Sequence, residues 1–166
     1  MQWRQGGFTL VELAVIILIL AACVTVVFPK FSNGLLDQQR LKSNVSKIAG
    51  IAEYARQRAV STRLTHTLHF NMDQGTYWVT AHTSDGKLMP MTDGLHLKGR
   101  LPEDISFSGI DFPDIRTGSV NDITIEFSPQ GWIEPATVYV ASSKGRKMSI
   151  VMHEMLGYVE TLEVIE

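Results

Sequence analysis

The sequence predicts an α+β fold, with a long N-terminal helix packed on a C-terminal antiparallel β-rich head. The first half of that helix is expected to be transmembrane. Three observations carry this reading. Residues Phe8 to Phe28 form a 21-residue run in which only Thr9, Glu12 and Thr25 are not apolar. Between Lys30 and Arg63 the apolar residues recur at steps of three and four, the period of a helix with one buried face. Beyond Arg63 the period falls to two and turn residues recur, the pattern of hairpins. Composition agrees. With 45% hydrophobic and 19% charged residues among 166, the chain is too apolar for disorder and too charged for a multi-span membrane protein. Its single cysteine excludes an internal disulfide framework and a cysteine zinc cluster. A net charge of -2 gives no global attraction for nucleic acid.

At about 1.5 Å per residue, the run from Phe8 to Phe28 would span roughly 30 Å, the thickness of a bilayer's hydrocarbon core. Charge divides sharply after it. Residues Lys30 to Arg63 sum to +5, and Leu64 to Glu166 sum to -7. A basic stalk therefore precedes an acidic head. Charge counting alone would put the stalk on the cytoplasmic side.

Gly6-Gly7-Phe8-Thr9-Leu10-Val11-Glu12-Leu13 resembles the prepilin cleavage and methylation motif of type IV pilins and type II secretion pseudopilins. The resemblance extends to Pro29. It implies that residues 1–7 are a leader, that a prepilin peptidase cuts between Gly7 and Phe8, and that Phe8 carries the methylated amine. It also implies an inner-membrane location, with the C-terminal head in the periplasm. A residue without a Cβ before the scissile bond allows close approach of the peptidase. A glutamate in a membrane span is costly and so marks a functional position. Glu12 would pair with the cationic amine at Phe8 as neighbouring subunits stack. The plainer reading of Glu12 is complementation of the helix N-terminus. Leu20-Ala21-Ala22-Cys23 also resembles a lipobox, in which Cys23 would be acylated. The apolar residues that follow Cys23 replace the polar tether of a lipoprotein.

Residues 8–29 are thus the expected transmembrane and assembly helix, and residues 30–63 an amphipathic stalk helix. Pro29 lacks an N–H, so a bend is expected there, and Asn33-Gly34 is a second weak point. Leu41, Val45, Ile48, Ala52, Ala55 and Ala59 fall on one stripe, whose change from large residues to alanine suits close packing on a sheet. One helix from Phe8 to Arg63 would be about 84 Å long.

Residues 64–166 form the expected head. Leu64, His66, Leu68 and Phe70 alternate with polar residues, a turn follows at Asn71 to Gly75, and Tyr77, Val79 and Ala81 return on one face. Ser84 to Ser119 contains Pro90, Pro102 and Pro113 and reads as loops, with short strands near Leu95–Leu97 and Ile105–Phe107. Ile123, Ile125 and Phe127 form a strand that ends in a Ser128-Pro129-Gln130-Gly131 turn. Val138–Val140 and Met148–Val151 flank a turn at Ser143 to Arg146. A final hairpin turns near Leu156-Gly157. A long helix followed by hairpins, with Phe127-Ser128-Pro129-Gln130-Gly131 and Gly157-Tyr158-Val159, resembles the H-type minor pseudopilins and related minor type IV pilins. The major pseudopilins' Tyr-Pro loop after the helix is absent.

No catalytic constellation stands out, and no enzyme activity or cofactor is expected. His66, His69, His82, His96 and His153 show no metal-ligand spacing. Asp111, Asp114 and Asp122 match no calcium loop, so no metal is expected. Lys144, Arg146 and Lys147 on one hairpin turn could touch DNA phosphates, although the head around them is acidic. The resemblance implies a minor pseudopilin of a type II secretion pseudopilus near the fibre tip. The alternative is a minor type IV pilin of a pilus or DNA-uptake system. The partners implied are the prepilin peptidase, other pseudopilins or pilins and the inner-membrane assembly platform. Nucleic acid is not an expected partner of the secretion subunit.

Overall fold

The computed structural model describes residues 9–83, 85–91, 97–113, 122–154 and 158–164, with the side chains of residues 26–34 left aside. One helix, α1, covers Leu10–Thr62. Thr9 caps it. Its Oγ1 accepts the Glu12 N–H at 3.3 Å, and its carbonyl accepts the Leu13 N–H at 3.2 Å. Thr-x-x-Glu before an apolar run is a helix-start pattern. The helix assignment is unbroken through Pro29 and Asn33-Gly34. The expected bend at Pro29 lies among the residues whose side chains are not described. Arg63 ends the helix with φ 58°, the left-handed conformation that follows many helices and usually falls to glycine.

The chain divides into two compact units, residues 1–38 and 39–166. In the first, every described side chain from Leu10 to Thr25 is exposed. Leu10 is 85% exposed and Leu18 70%. Thr25 satisfies its own hydroxyl by donating to the carbonyls of Ala22 and Ala21, at 2.9 and 3.1 Å, as hydroxyls in apolar helices do. Among the described residues no helix is long and apolar enough to cross a membrane.

The second unit holds the remainder of α1 and two antiparallel sheets. The first sheet contains β1 (His66–Asn71), β2 (Thr76–His82), β3 (Leu88–Pro90), β4 (Lys98–Arg100) and β6 (Asp122–Phe127). Its order is β3-β2-β1-β6. β4 pairs β2 through Thr76–Trp78 and β3 pairs it through Thr80–His82, so the two short strands share one edge. The second sheet runs β5 (Ile105–Asp111), β7 (Ala136–Ser142), β8 (Lys147–His153), β9 (Tyr158–Val164). The chain visits the first sheet, then β5 of the second, returns for β6 and leaves again for β7.

Each expected strand with strong alternation is present. The differences lie where prolines and glycines blurred the pattern. β1 begins at His66 rather than Leu64, because the turn at Arg63 takes up the next two residues. Leu88–Pro90, expected as loop, is an edge strand. Pro90 is tolerated at an edge, where its missing N–H breaks no ladder. The strand expected near Leu95–Leu97 is Lys98–Arg100, while Leu97 before it is buried and its carbonyl accepts the Val79 N–H at 3.1 Å. Gly99 sits opposite Tyr77 in register, and a Cβ there would overlap the Tyr77 ring. The missing side chain lets that buried ring lie across the strand.

The stripe Leu41, Val45, Ile48, Ala52, Ala55 and Ala59 is buried at 0–1% exposure. It joins one apolar core with Leu68, Phe70, Tyr77, Ile125, Phe127, Val138, Val140 and Ile150 from both sheets. Phe70 of β1 and Phe107 of β5 meet edge to face, centroids 5.4 Å apart, which ties the sheets together.

Candidate functional site

Two regions bear on function: the N-terminal segment of α1 and the surfaces of the head. Gly7 and Phe8, the expected cleavage and methylation positions, lie outside the described residues. Glu12 stands in the first turn of α1 with an exposed side chain. Of the polar residues in the apolar run, Thr9 is the cap and Thr25 bonds back to its own helix. Glu12 is the only acid between Thr9 and Thr25. The Glu12 backbone N–H completes the Thr9 cap, as any residue at this position could. Its carboxylate is a separate group from that N–H and can serve another partner. The cap was readable in the sequence as Thr9-x-x-Glu12. Cys23 is a free, exposed thiol in mid-helix.

The basic turn that could touch DNA phosphates connects β7 to β8. Gly145, at φ 84°, donates to the Ser142 carbonyl at 3.0 Å, and Ser142 donates to the Arg146 carbonyl at 2.9 Å. The Ser143 N–H donates to the Asp104 carbonyl at 2.8 Å, which anchors the turn to the loop before β5. Lys144, Arg146 and Lys147 each already have a partner within the molecule. Lys147 pairs in register with Val164, and its neighbour Met148 with Glu163, so an acidic strand runs beside the turn. Asp104 also faces Arg40 of α1 at 3.6 Å, a pair too exposed to add much.

The histidines serve the sheets. His66 Nδ1 donates to the Leu64 carbonyl at 2.9 Å, and the residue is 1% exposed. His69 stacks on Trp78 with centroids 5.1 Å apart and bonds Thr80 at 2.8 Å. Burial, helped by nearby His82, holds its imidazole below the ordinary value, and Asp122 opposes this. His82 bonds Thr67 at 3.0 Å, and His153 lies 3.4 Å from the Glu160 carboxylate. Asp122 accepts the Asn71 side-chain amide at 2.7 Å, and Asp111 accepts the Tyr139 phenol. Asp114 and His96 lie outside the described residues. Among the described residues no group of three or more His, Cys, Asp or Glu could hold a metal.

One surface was not legible in the sequence. A surface pocket of about 190 Å³ is lined by Phe112, Pro113, Trp132, Pro135 and three glutamates, Glu126, Glu134 and Glu154. The passage from β6 to β7 builds one wall. Gly131 donates to the Ser128 carbonyl at 2.9 Å, closing the expected turn. The chain then doubles back. Ser128 donates to the Trp132 carbonyl at 3.0 Å, and Glu134 to the Glu126 carbonyl at 3.0 Å. Oε2 of Glu134 accepts the Glu126 N–H at 3.1 Å.

No family model matches the chain, and no curated protein matches it. Solved structures do. The minor pseudopilin EpsH from the type 2 secretion system of Vibrio cholerae aligns over 75% of this chain and 97% of its own, with TM-score 0.61 and 10% identity. The chain has the minor pseudopilin and pilin fold. GspH of Escherichia coli aligns over 75% of this chain and 89% of its own, with TM-score 0.56 and 14% identity. The type IV minor pilin FimU of Pseudomonas aeruginosa covers 78% and 92%, with TM-score 0.52 and 17% identity. A pilin fold accounts for the helix docked through its second part onto β-sheets.

Proposed function

We propose that this chain is a non-enzymatic fibre subunit, a minor pseudopilin of a type II secretion pseudopilus that supports protein secretion near the fibre tip. The single observation that carries the reading is the contrast within α1 on a pilin fold. An all-round apolar first segment bears one acid, Glu12, and directly follows Gly7-Phe8, while the second segment is built into the head. In this reading the protein is made as a prepilin, with a single span in the inner membrane and its head in the periplasm. Prepilin peptidase removes residues 1–7 and methylates Phe8. Assembly on the inner-membrane platform then moves the apolar segment from lipid into a bundle of helices. Apolar burial is nearly conserved in that transfer, so packing and the pairing of Glu12 with a neighbour's Phe8 amine set the register. The secretion reading is preferred to a type IV pilus because EpsH aligns with TM-score 0.61, against 0.52 for FimU. DNA contact is not proposed, since Lys144, Arg146 and Lys147 are already engaged.

Intact mass of the protein purified from its own cells tests this directly. The expected species begins at Phe8 and carries one methyl group. An acylated N-terminus at Cys23 would replace the reading with a lipoprotein. Glu12→Ala is expected to be cleaved normally yet to stay out of fibres, and normal incorporation would remove the pairing role.

A further inference from the structure

We infer that the surface pocket at Trp132 is a receptor for an arginine side chain carried by a segment of a neighbouring subunit. The inference rests on the fibre reading for the identity of the neighbour, and on the head alone for the chemistry.

The size comes first. About 190 Å³ is below the roughly 300–1,000 Å³ of pockets that enclose whole small molecules. It suits one long side chain. The walls come next. Trp132 is 47% exposed, although tryptophan at a surface normally buries most of its area. Phe112, Pro113 and Pro135 surround the same space and give it a rigid apolar floor. The charge follows. Glu126 and Glu154 are exposed carboxylates at its rim, and no lysine or arginine is among the described residues that line it. Glu134 is buried, with its Oε2 turned to the backbone of Glu126, so it braces the wall while the other two face solvent.

An exposed tryptophan that lines the same pocket as two exposed glutamates favours a cation that can stack. A guanidinium meets both requirements, because it is planar, weakly hydrated and presents a fork of donors to carboxylates. Lysine would satisfy the charge but not the stacking geometry. An anion would be repelled, and a purely apolar side chain would leave two carboxylates partly desolvated without partners. The site joins residues far apart in sequence: Phe112 and Pro113 just after β5, Trp132 and Pro135 between β6 and β7, and Glu154 just after β8. It therefore exists only when both sheets are assembled.

The test uses the full-length chain in detergent micelles, labelled with nitrogen-15, and follows the Trp132 indole N–H. N-acetyl-arginine amide is expected to shift that resonance saturably. N-acetyl-citrulline amide, the neutral isostere, should bind about fivefold more weakly, the scale of one exposed cation–π contact plus a screened ion pair. Added salt should weaken the arginine probe and leave the citrulline probe unchanged. Glu154→Gln and Glu126→Gln, both at exposed positions, should each weaken arginine selectively. Equal responses to the two probes, no saturable shift, or a preference for a proline-rich peptide would each overturn the inference. The mass measurement at Phe8 is independent of this titration. A correct mature N-terminus with no arginine response leaves the fibre subunit standing without the receptor. An arginine response with no cleavage at Gly7 leaves the receptor without the fibre.

Discussion

The two parts of α1 place their apolar residues to opposite ends. From Leu10 to Thr25 the helix is apolar on every side and exposed on every side. From Leu41 to Ala59 it is apolar on one stripe, and that stripe is buried at 0–1% exposure. What separates a segment suited to lipid or to neighbouring helices from one suited to its own sheets is both the number of apolar residues and their angular distribution. Residue size follows the same division. The buried stripe of the second part narrows from Leu41, Val45 and Ile48 to Ala52, Ala55 and Ala59.

Truncation should break this symmetry most visibly. Ile48→Ala is expected to cost about 2–5 kcal/mol of head stability, because the space it leaves is closed on all sides. Ile17→Ala should stay within about 0.5 kcal/mol in the same denaturant titration of the full-length protein in micelles. Enlargement gives the next effect. Ala55→Leu should cost about 1–3 kcal/mol by overpacking the contact with the sheets, whereas Ala14→Leu should leave the midpoint unchanged. At the end of the docked part, Arg63→Gly should raise stability by about 1 kcal/mol, since glycine takes the left-handed conformation without strain.

The smallest effect concerns the polar face, where the docked part carries an ion pair. Arg56 bonds Glu53 at 2.6 and 3.0 Å. That bond, opposed by burial and aided by Gln57, holds the Glu53 carboxyl below its ordinary value. A lowered folded-state value means that the pair's contribution is complete above the ordinary carboxylate range and is lost as pH falls through the lowered value. Glu53→Gln should therefore cost about 0.3–0.5 kcal/mol at neutral pH, a figure already discounted for solvent screening. The gap from the unsubstituted protein should close in acid.

Legibility followed periodicity. The six stripe residues were readable from spacing alone because a helix repeats its geometry without outside help. The alternating strands β1, β2, β6, β7 and β8 were readable for the same reason. β3 was not, and β4 was expected a few residues too early, since three-residue edge strands around Pro90 and Gly99 are too short to show a period. The Glu12 motif was readable because the residues that define it are adjacent in sequence. The cavity at Trp132 was not. Its walls come from three separated segments, and nothing local to Phe112, Trp132 or Glu154 records that the sheets bring them together.

The order in which the chain visits its sheets has a consequence for the timing of folding. β1 waits for its partner β6, which lies 51 positions further along the sequence, from Asn71 to Asp122. In between, the chain has already laid down β5 of the other sheet. Neither sheet can be completed before the other is begun, so the head has no half that could fold and persist alone. Non-local pairing of this kind slows folding and couples it into one step. A head delivered N-terminus first would remain unfinished until β6 and then β7 to β9 had emerged. Until then the alanine stripe of α1 has no sheets to dock on.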